Sequence, residues 1–397
     1  MKRICFLTDS IFSFGGVQRV TAVLAKELSK TCDVTIVTLD EVSARDTTMY
    51  GLEEASINYR FFSYPQVSFW KSRLLKLYSL LYKKVLPQTR FFSHLYTYSS
   101  FPSEKRLALA EELRQGHYDT IIGVHAPLAV RLAACKKLMV GVRLVGWIHN
   151  SHQALFSKGS TYIGPDLCRY YEYMLAKLDT TIVLSKDDAR KYPFPTRVVY
   201  NPLTLKPGKP AKGESKKFLA VGRFSHLHKG FDLLIDAFSR FAQYNGEWSL
   251  DIVGEGPEEA LYHQKIADYH LGDRIRLHPF TNQIQDYYSE AQVFVLSSRW
   301  EGFGLVLVEA MAHGLPIVSS DLPTSHEIMG DNALYFPVGN TAALTECLHQ
   351  ATQIDWSSKS REAIKIAHHF DISEVLPLWQ DILEIKEPID KQPTTEA

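Results

Sequence analysis

The run Ala291–Ser320 constrains the fold of this chain more than any other stretch. Ala291 to Leu296 (AQVFVL) is short, apolar and rich in Val and Phe, which predicts a strand of a buried parallel sheet rather than a surface helix. Ser298 to Ala310 (SRWEGFGLVLVEA) breaks that pattern: Gly302 and Gly304 permit a tight backbone path, and Leu305, Leu307, Val308, Ala310 and Met311 begin a helix that stops near Gly314-Leu315-Pro316. Pro316 to Ser320 starts the next strand, so the whole is a βαβ unit. Ligands of such units bind at the carboxyl ends of the strands, where the unpaired N–H groups opening the helix suit a phosphate or a sugar hydroxyl. Glu301 precedes the turn and Glu309 lies inside the helix, with seven residues between them. A helix cap and a solvated helix face explain two glutamates equally well; the Gly-Phe-Gly beside them favours a loop that lets a ligand reach the backbone.

At 397 residues the chain exceeds one ordinary core, so two domains are expected. The 44 basic and 44 acidic residues cancel, which argues against a general nucleic-acid binder and makes any electrostatic function local. Five cysteines, Cys5, Cys32, Cys135, Cys168 and Cys347, show no C-x-x-C spacing, so neither a disulfide framework nor a zinc site is suggested and a reducing cytosol fits. The start, MKRICFLTDS, is cut short of a signal peptide by Asp9. No run approaches the roughly eighteen apolar residues of a membrane-crossing helix.

In chain order, Arg3 to Thr8 reads as a buried strand, and Ser13-Phe14-Gly15-Gly16 as a turn into a helix whose Val17, Val20, Leu24 and Leu28 mark one buried face. The glycine pair suits a binding loop, with Gly16 the candidate, and equally an ordinary turn. It is not G-x-G-x-x-G, and Gly254-Glu255-Gly256 lacks the third glycine, so a nicotinamide cofactor loses support. Cys32 to Leu39 is the next strand. Between Ala55 and Ser103 there is no Asp or Glu, yet Arg60, Lys71, Arg73, Lys76, Lys83, Lys84 and Arg90 interleave with Phe69, Trp70, Leu74, Leu77, Tyr78, Leu81 and Tyr82. Such a segment suits contact with an anionic membrane surface through residues 60–91, or a core helix with a basic outer face. Tyr118–Val124, Leu144–Ile148 and Thr180–Ser185 read as strands, the second delivering His149-Asn150-Ser151-His152 to its carboxyl end. A histidine there can pair with a sugar hydroxyl, although a lone histidine is more often structural.

Pro, Gly and Lys crowd 202–216, which reads as an interdomain linker. The second half opens with Lys217–Val221 as a strand, followed by Gly222-Arg223 and, six residues on, Lys229-Gly230 before a helix from Phe231 to Phe241. Arg223 and Lys229 can together neutralise a diphosphate, and can equally be a solvated loop. Trp248–Val253, Ile275–Pro279 and Ala333–Phe336 read as further strands, with Phe280 and Thr281 at the end of the second.

Glu301-Gly302-Phe303-Gly304 followed by Glu309 resembles the E-x7-E signature of the retaining glycosyltransferases of family 4, the glycosyl transferases group 1, and in particular bacterial hexosyltransferases of lipopolysaccharide, capsule and exopolysaccharide assembly. The likeness extends over most of the chain. It implies an α/β chain of GT-B architecture, two Rossmann-like domains facing across a cleft: an acceptor domain 1–201, the linker 202–216, a nucleotide-sugar domain 217–374, and 375–397 as a helix returning to the first domain plus a disordered tail. It implies that His149 faces the donor sugar, that Arg223 and Lys229 hold the diphosphate without a metal or other cofactor, and that Phe280 and Thr281 lie by the base. Glu309 then takes the ribose hydroxyls, while Glu301 and the Gly302, Phe303, Gly304 and Leu305 backbone orient the hexose. It further implies a UDP-hexose donor, UDP-galactose or UDP-glucose, and retention of anomeric configuration; the basic aromatic segment favours a saccharide or lipid-linked acceptor and a cytoplasmic location at the inner membrane face. A GT-B sugar-nucleotide epimerase, a phosphorylase and a non-catalytic sugar-nucleotide-binding protein are the alternatives. A phosphorylase would need a pyridoxal lysine in a recognisable context, which is not seen.

Overall fold

A computed structural model describes residues 1–211, 213–224, 228–354 and 357–385. Ser225, His226 and Leu227 of the basic turn, and the final dozen residues expected to be disordered, lie outside the described residues. Two all-parallel sheets carry the molecule. The first contains β1 (Arg3–Thr8), β2 (Asp33–Thr38), β3 (Ile57–Phe61), β4 (Thr120–Val124), β5 (Arg143–Trp147), β6 (Thr180–Val183) and β7 (Arg197–Val198), in the order β3-β2-β1-β4-β5-β6-β7. The second contains β8 (Lys217–Val221), β9 (Ser249–Val253), β10 (Ile275–His278), β11 (Val293–Leu296), β12 (Ile317–Ser320) and β13 (Leu334–Phe336), in the order β10-β9-β8-β11-β12-β13.

The apolar strand runs dictate this burial. β11 is buried along its whole length, and β4 likewise, because helices cover both faces of each sheet. In both sheets the chain first builds outward on one side and then reverses, so each has a switch point, between β1 and β4 and between β8 and β11. Diverging loops open a crevice at the carboxyl end of such a point. Both switch points face the space between the domains, and this arrangement is the GT-B fold.

Two strands are absent from the sequence reading. β3 is a half-buried edge inside the acid-free segment, and β7 has two residues, too short for periodicity to register. The rest of that segment forms the helices Phe69–Lys84 and Arg90–Ser100. In the first of these only Tyr82 is buried; Trp70 and Leu74 are 75% and 69% exposed. Its apolar side chains therefore do not make a core face.

The helix Ile372–Ile382 leaves the second domain and seats on the first. Trp379 is fully buried with its ring 4.7 Å from that of Trp147, and Lys2 Nζ donates to the Leu383 carbonyl at 2.6 Å. Arg197 adds an ion pair to Asp381 at 2.7 Å.

Candidate active site

On the second-domain wall, the loop after β11 is held by the first turn of the helix Phe231–Ala242 and by the turn before it. Arg299 makes a two-pronged pair with Asp232, at 3.0 and 2.8 Å, and the Trp300 indole stacks on the His228 ring at 5.1 Å. This brace presents Glu301 inward, only 7% exposed. Its Oε1 accepts from Lys229 Nζ at 2.7 Å and from Ser298 Oγ at 2.6 Å, and Oε2 lies 3.7 Å from His228 Nε2. Burial pushes the Glu301 carboxyl up, but the Lys229 ammonium and the His228 ring outweigh it and hold the group well below the ordinary carboxylate range. Glu301 is thus an anion at neutral pH and is not the helix cap: Gly304 takes that place with φ +89°, a left-handed conformation that favours glycine.

Gly302 is required for a different reason. A Cβ there would collide with the carbonyl oxygen of His149, so the two domains meet backbone to backbone at this point. A Cβ on Gly16 would stand 3.2 Å from the Leu305 side chain, which brings the start of the first-domain helix Gly16–Ser29 against the start of the second-domain helix Leu305–Ala312. Phe280, at the end of β10, is 4.5 Å ring to ring from Phe14 and closes the rim above, with Thr281 beside it. Phe303 is buried between Tyr200 and Phe370, so its ring packs and only its backbone is left for a ligand.

Glu309 is not on a solvated face. It is 1% exposed and its Oε1 accepts from Arg19 and, at 3.2 Å, from Thr204, while Oε2 accepts from the Tyr288 hydroxyl at 2.9 Å. Arg19 comes from the first domain and Thr204 from the linker, so this carboxylate joins three parts of the chain. Arg223 follows β8 at the switch point and is partly exposed; it and Glu301 both lie in the electrostatic surroundings of the exposed Tyr162 phenol, which the first domain contributes.

On the first-domain wall, His149 follows β5 and is 5% exposed, and neither of its ring nitrogens has a partner. Burial, and then the neighbouring His125, hold it well below the usual histidine range, so the ring is neutral. His125, 5.3 Å away ring to ring, is lowered to about 4 by burial. Sequence reasoning missed His125, although it directly follows β4 at the switch point. Its backbone lies at φ 72°, ψ 152°, a region close to glycine-only, and such strain gathers at functional sites. Tyr162 and Arg19 were missed as well; only the topology brings them to the cleft.

The structure therefore gathers His149, Glu301, Gly302, Lys229, Gly16 and Leu305 around one cleft, with Arg223, Phe280 and Thr281 at its second-domain edge and Glu309 behind. Two neutral imidazoles, His149 buried and His125 half-buried, stand across from an ionised carboxylate, a lysine and a helix start. That set can bind an anion, orient a neutral hydroxylated ring and exclude water.

Residues 204–368 match the family described as Glycosyl transferases group 1. Over 330 residues, 80% of either chain, the protein is 27% identical to an uncharacterized glycosyltransferase of Haemophilus influenzae. It is 30% identical over 175 residues to the lipopolysaccharide core biosynthesis mannosyltransferase LpsB of Rhizobium meliloti, a match spanning 40% of this chain and half of LpsB. In fold, it is similar to Anabaena HepE, solved in complex with UDP and glucose, with a TM-score of 0.73 over 97% of this chain and all of that one, at 20% identity.

Proposed function

We propose that the protein is a retaining glycosyltransferase of family 4, a hexosyltransferase that moves a hexose from a nucleotide sugar to a saccharide or lipid-linked acceptor in surface-polysaccharide or glycolipid synthesis. The observation that carries this reading is the Lys229–Glu301 pair at the second switch point, set against His149 across the cleft. The group 1 match of the second domain supports the activity class, and the LpsB likeness supports the surface-saccharide setting. HepE, solved with UDP and glucose, supports a UDP-hexose such as UDP-glucose, and UDP-galactose is the other donor proposed.

In this reading Arg223 and Lys229 carry the diphosphate and stabilise it as it leaves, the task a metal performs elsewhere, so the reaction needs no metal. The Gly302–Leu305 backbone and Glu301 orient the hexose. His149, neutral and without a protein partner, accepts or donates one hydrogen bond to it. Retention follows from front-face attack, in which the leaving phosphate takes the acceptor proton. Glu309 keeps one acceptor position on Oε2 for a ribose hydroxyl, since each carboxylate oxygen accepts two hydrogen bonds and Arg19 with Thr204 fill Oε1.

The uncovered helix Phe69–Lys84 supports work at the inner face of the cell membrane. Phe69, Trp70, Leu74 and Leu77 are exposed beside Arg73 and Lys76, and the helix carries no acidic residue. Such a surface suits apolar insertion at anionic headgroups. Among the described residues no helix is long and apolar enough to cross a membrane.

The test is turnover of a panel of UDP-, GDP- and ADP-sugars by the purified protein with EDTA throughout. With a saccharide acceptor supplied, release of one nucleotide together with a glycosidic product supports the reading; free sugar in place of that product favours an epimerase, and tight binding without any release favours a binding protein. Co-sedimentation with anionic and neutral vesicles tests the membrane face, with Trp70→Glu expected to abolish pelleting.

A further inference from the structure

We propose that His152, Cys168 and Glu172 form a binding site for one zinc-like divalent metal ion, outside the cleft and apart from the groups that hold the donor. His152 opens the short helix His152–Phe156 after β5, and Cys168 and Glu172 are one turn apart on the helix Cys168–Leu175. His152 Nε2 is 3.9 Å from Cys168 Sγ and 3.5 Å from Glu172 Oε1, and the sulfur and that oxygen are 3.4 Å apart. Ligands around a tetrahedral zinc, at ordinary metal–sulfur, metal–nitrogen and metal–oxygen lengths, are separated by about 3.3 to 3.6 Å. The three atoms thus already stand near the positions a metal needs, and they are the imidazole, thiolate and carboxylate that zinc takes.

A second observation points the same way. Tyr192 is 6% exposed and its hydroxyl is buried without a hydrogen-bond partner. Its ring packs edge-on to His152 at 5.1 Å, and Asp188, Cys168 and Glu172 are the charged and ionisable groups nearest in effect to its phenol. A metal-bound water or hydroxide would give that hydroxyl its partner. Asp188, itself 2% exposed, accepts the His152 backbone N–H at 2.9 Å and fixes the start of the short helix that carries this ligand. Sequence spacing does not show this site, because the fold, not a C-x-x-C motif, brings residues 152 and 168 together.

The placement gives the ion a task. It would tie the end of β5, three residues beyond His149, to the helix that begins after the loop 157–164, and that loop carries Tyr162 to the edge of the cleft. The bound metal would clamp both ends of the first-domain wall while leaving the diphosphate side untouched.

The test uses the full chain stripped of metal and titrated with cobalt(II), then with zinc. One equivalent of cobalt should develop a thiolate-to-metal charge-transfer band that zinc abolishes, and Cys168→Ser or His152→Ala should weaken binding about a hundredfold or more. Of the five cysteines Cys168 alone is not buried, so in the unaltered protein zinc should also slow its alkylation; this readout survives if a variant fails to fold. No band and no protection at saturating metal overturns the site. A band of equal strength in both variants does so too, because the ion would then sit elsewhere. UDP binding is measured alongside and stays unchanged with metal if the donor reading holds, so the two ideas fail separately.

Discussion

The two walls of the cleft meet charge in opposite ways. On the second-domain wall the carboxylates hold cations before any ligand arrives: Glu301 holds Lys229, Glu309 holds Arg19 and Asp232 holds Arg299. On the first-domain wall burial has discharged the site, leaving His125 and His149 neutral, with both His149 nitrogens unpartnered. A wall that carries cations suits the part of a ligand that carries negative charge, because Lys229 and Arg223 can take phosphate oxygens. A neutral, desolvated imidazole suits an uncharged hydroxyl, which it can meet as donor or acceptor. The contrast divides the labour between holding a diphosphate and positioning a sugar.

The sharpest way to break this division is through turnover. Glu301→Gln and His149→Ala are each expected to lower kcat by about a hundredfold to a thousandfold, as loss of one transition-state contact does, with UDP affinity little changed in the histidine variant. A shift in UDP affinity as large as the loss of turnover in His149→Ala would erase the distinction between the walls. Next in size, Arg223→Ala or Lys229→Ala should cost donor binding about 1.5 to 3 kcal/mol, roughly tenfold to a hundredfold, read by calorimetry with UDP. Lys229→Ala should also lower the melting temperature, since it strands a buried Glu301, whereas the partly exposed Arg223 leaves nothing stranded. Unchanged donor affinity in both variants would refute the diphosphate assignment.

Stability against pH separates the walls again. His125 is depressed from 6.5 to about 4, so the unfolded chain binds the proton more readily, and the stability present above pH 6.5 should fall as pH drops toward 4. His149 is depressed too and acts in the same sense. Glu301, also depressed, adds its own loss only as pH falls below the ordinary value of 4.5. Urea unfolding across the upper window should therefore flatten in part in a His125→Ala variant, and an unaltered slope would show that His125 is not what titrates there. The smallest effect is expected from Arg19→Ala. Arg19 holds Oε1 of Glu309 and leaves Oε2 to ribose, so UDP affinity should change by less than about 1.4 kcal/mol, within one decade; a larger loss of binding would make Arg19 a support for the nucleotide.

Much of this cleft can be read from the residues, and what escapes does so for physical reasons. The strand, glycine turn and helix from Ala291 to Ala312 stand where the apolar pattern puts them, because a fully buried parallel strand leaves a continuous signature. Partners remote in sequence leave none: Arg19 and Glu309 are 290 residues apart and only the closed fold pairs them. His125 escapes because a histidine beside a helix start looks ordinary until its backbone angles are known. The helix Phe69–Lys84 shows the opposite failure. Its amphipathic pattern is plain, yet a pattern says only that one face is apolar, not what covers it.

The returning C-terminal helix has a consequence for motion. The chain passes between the domains twice, once through the linker after β7 and once near Phe370, and the two passes touch: Leu203 N–H donates to the Phe370 carbonyl at 2.6 Å, and the Tyr200 and Phe370 rings lie 5.6 Å apart. A single tether would let the halves swivel in any direction. Two tethers fastened side by side behave like the pins of a door, restricting the domains to swinging about one axis, so whatever enters the cleft meets the same two walls in the same register each time they close.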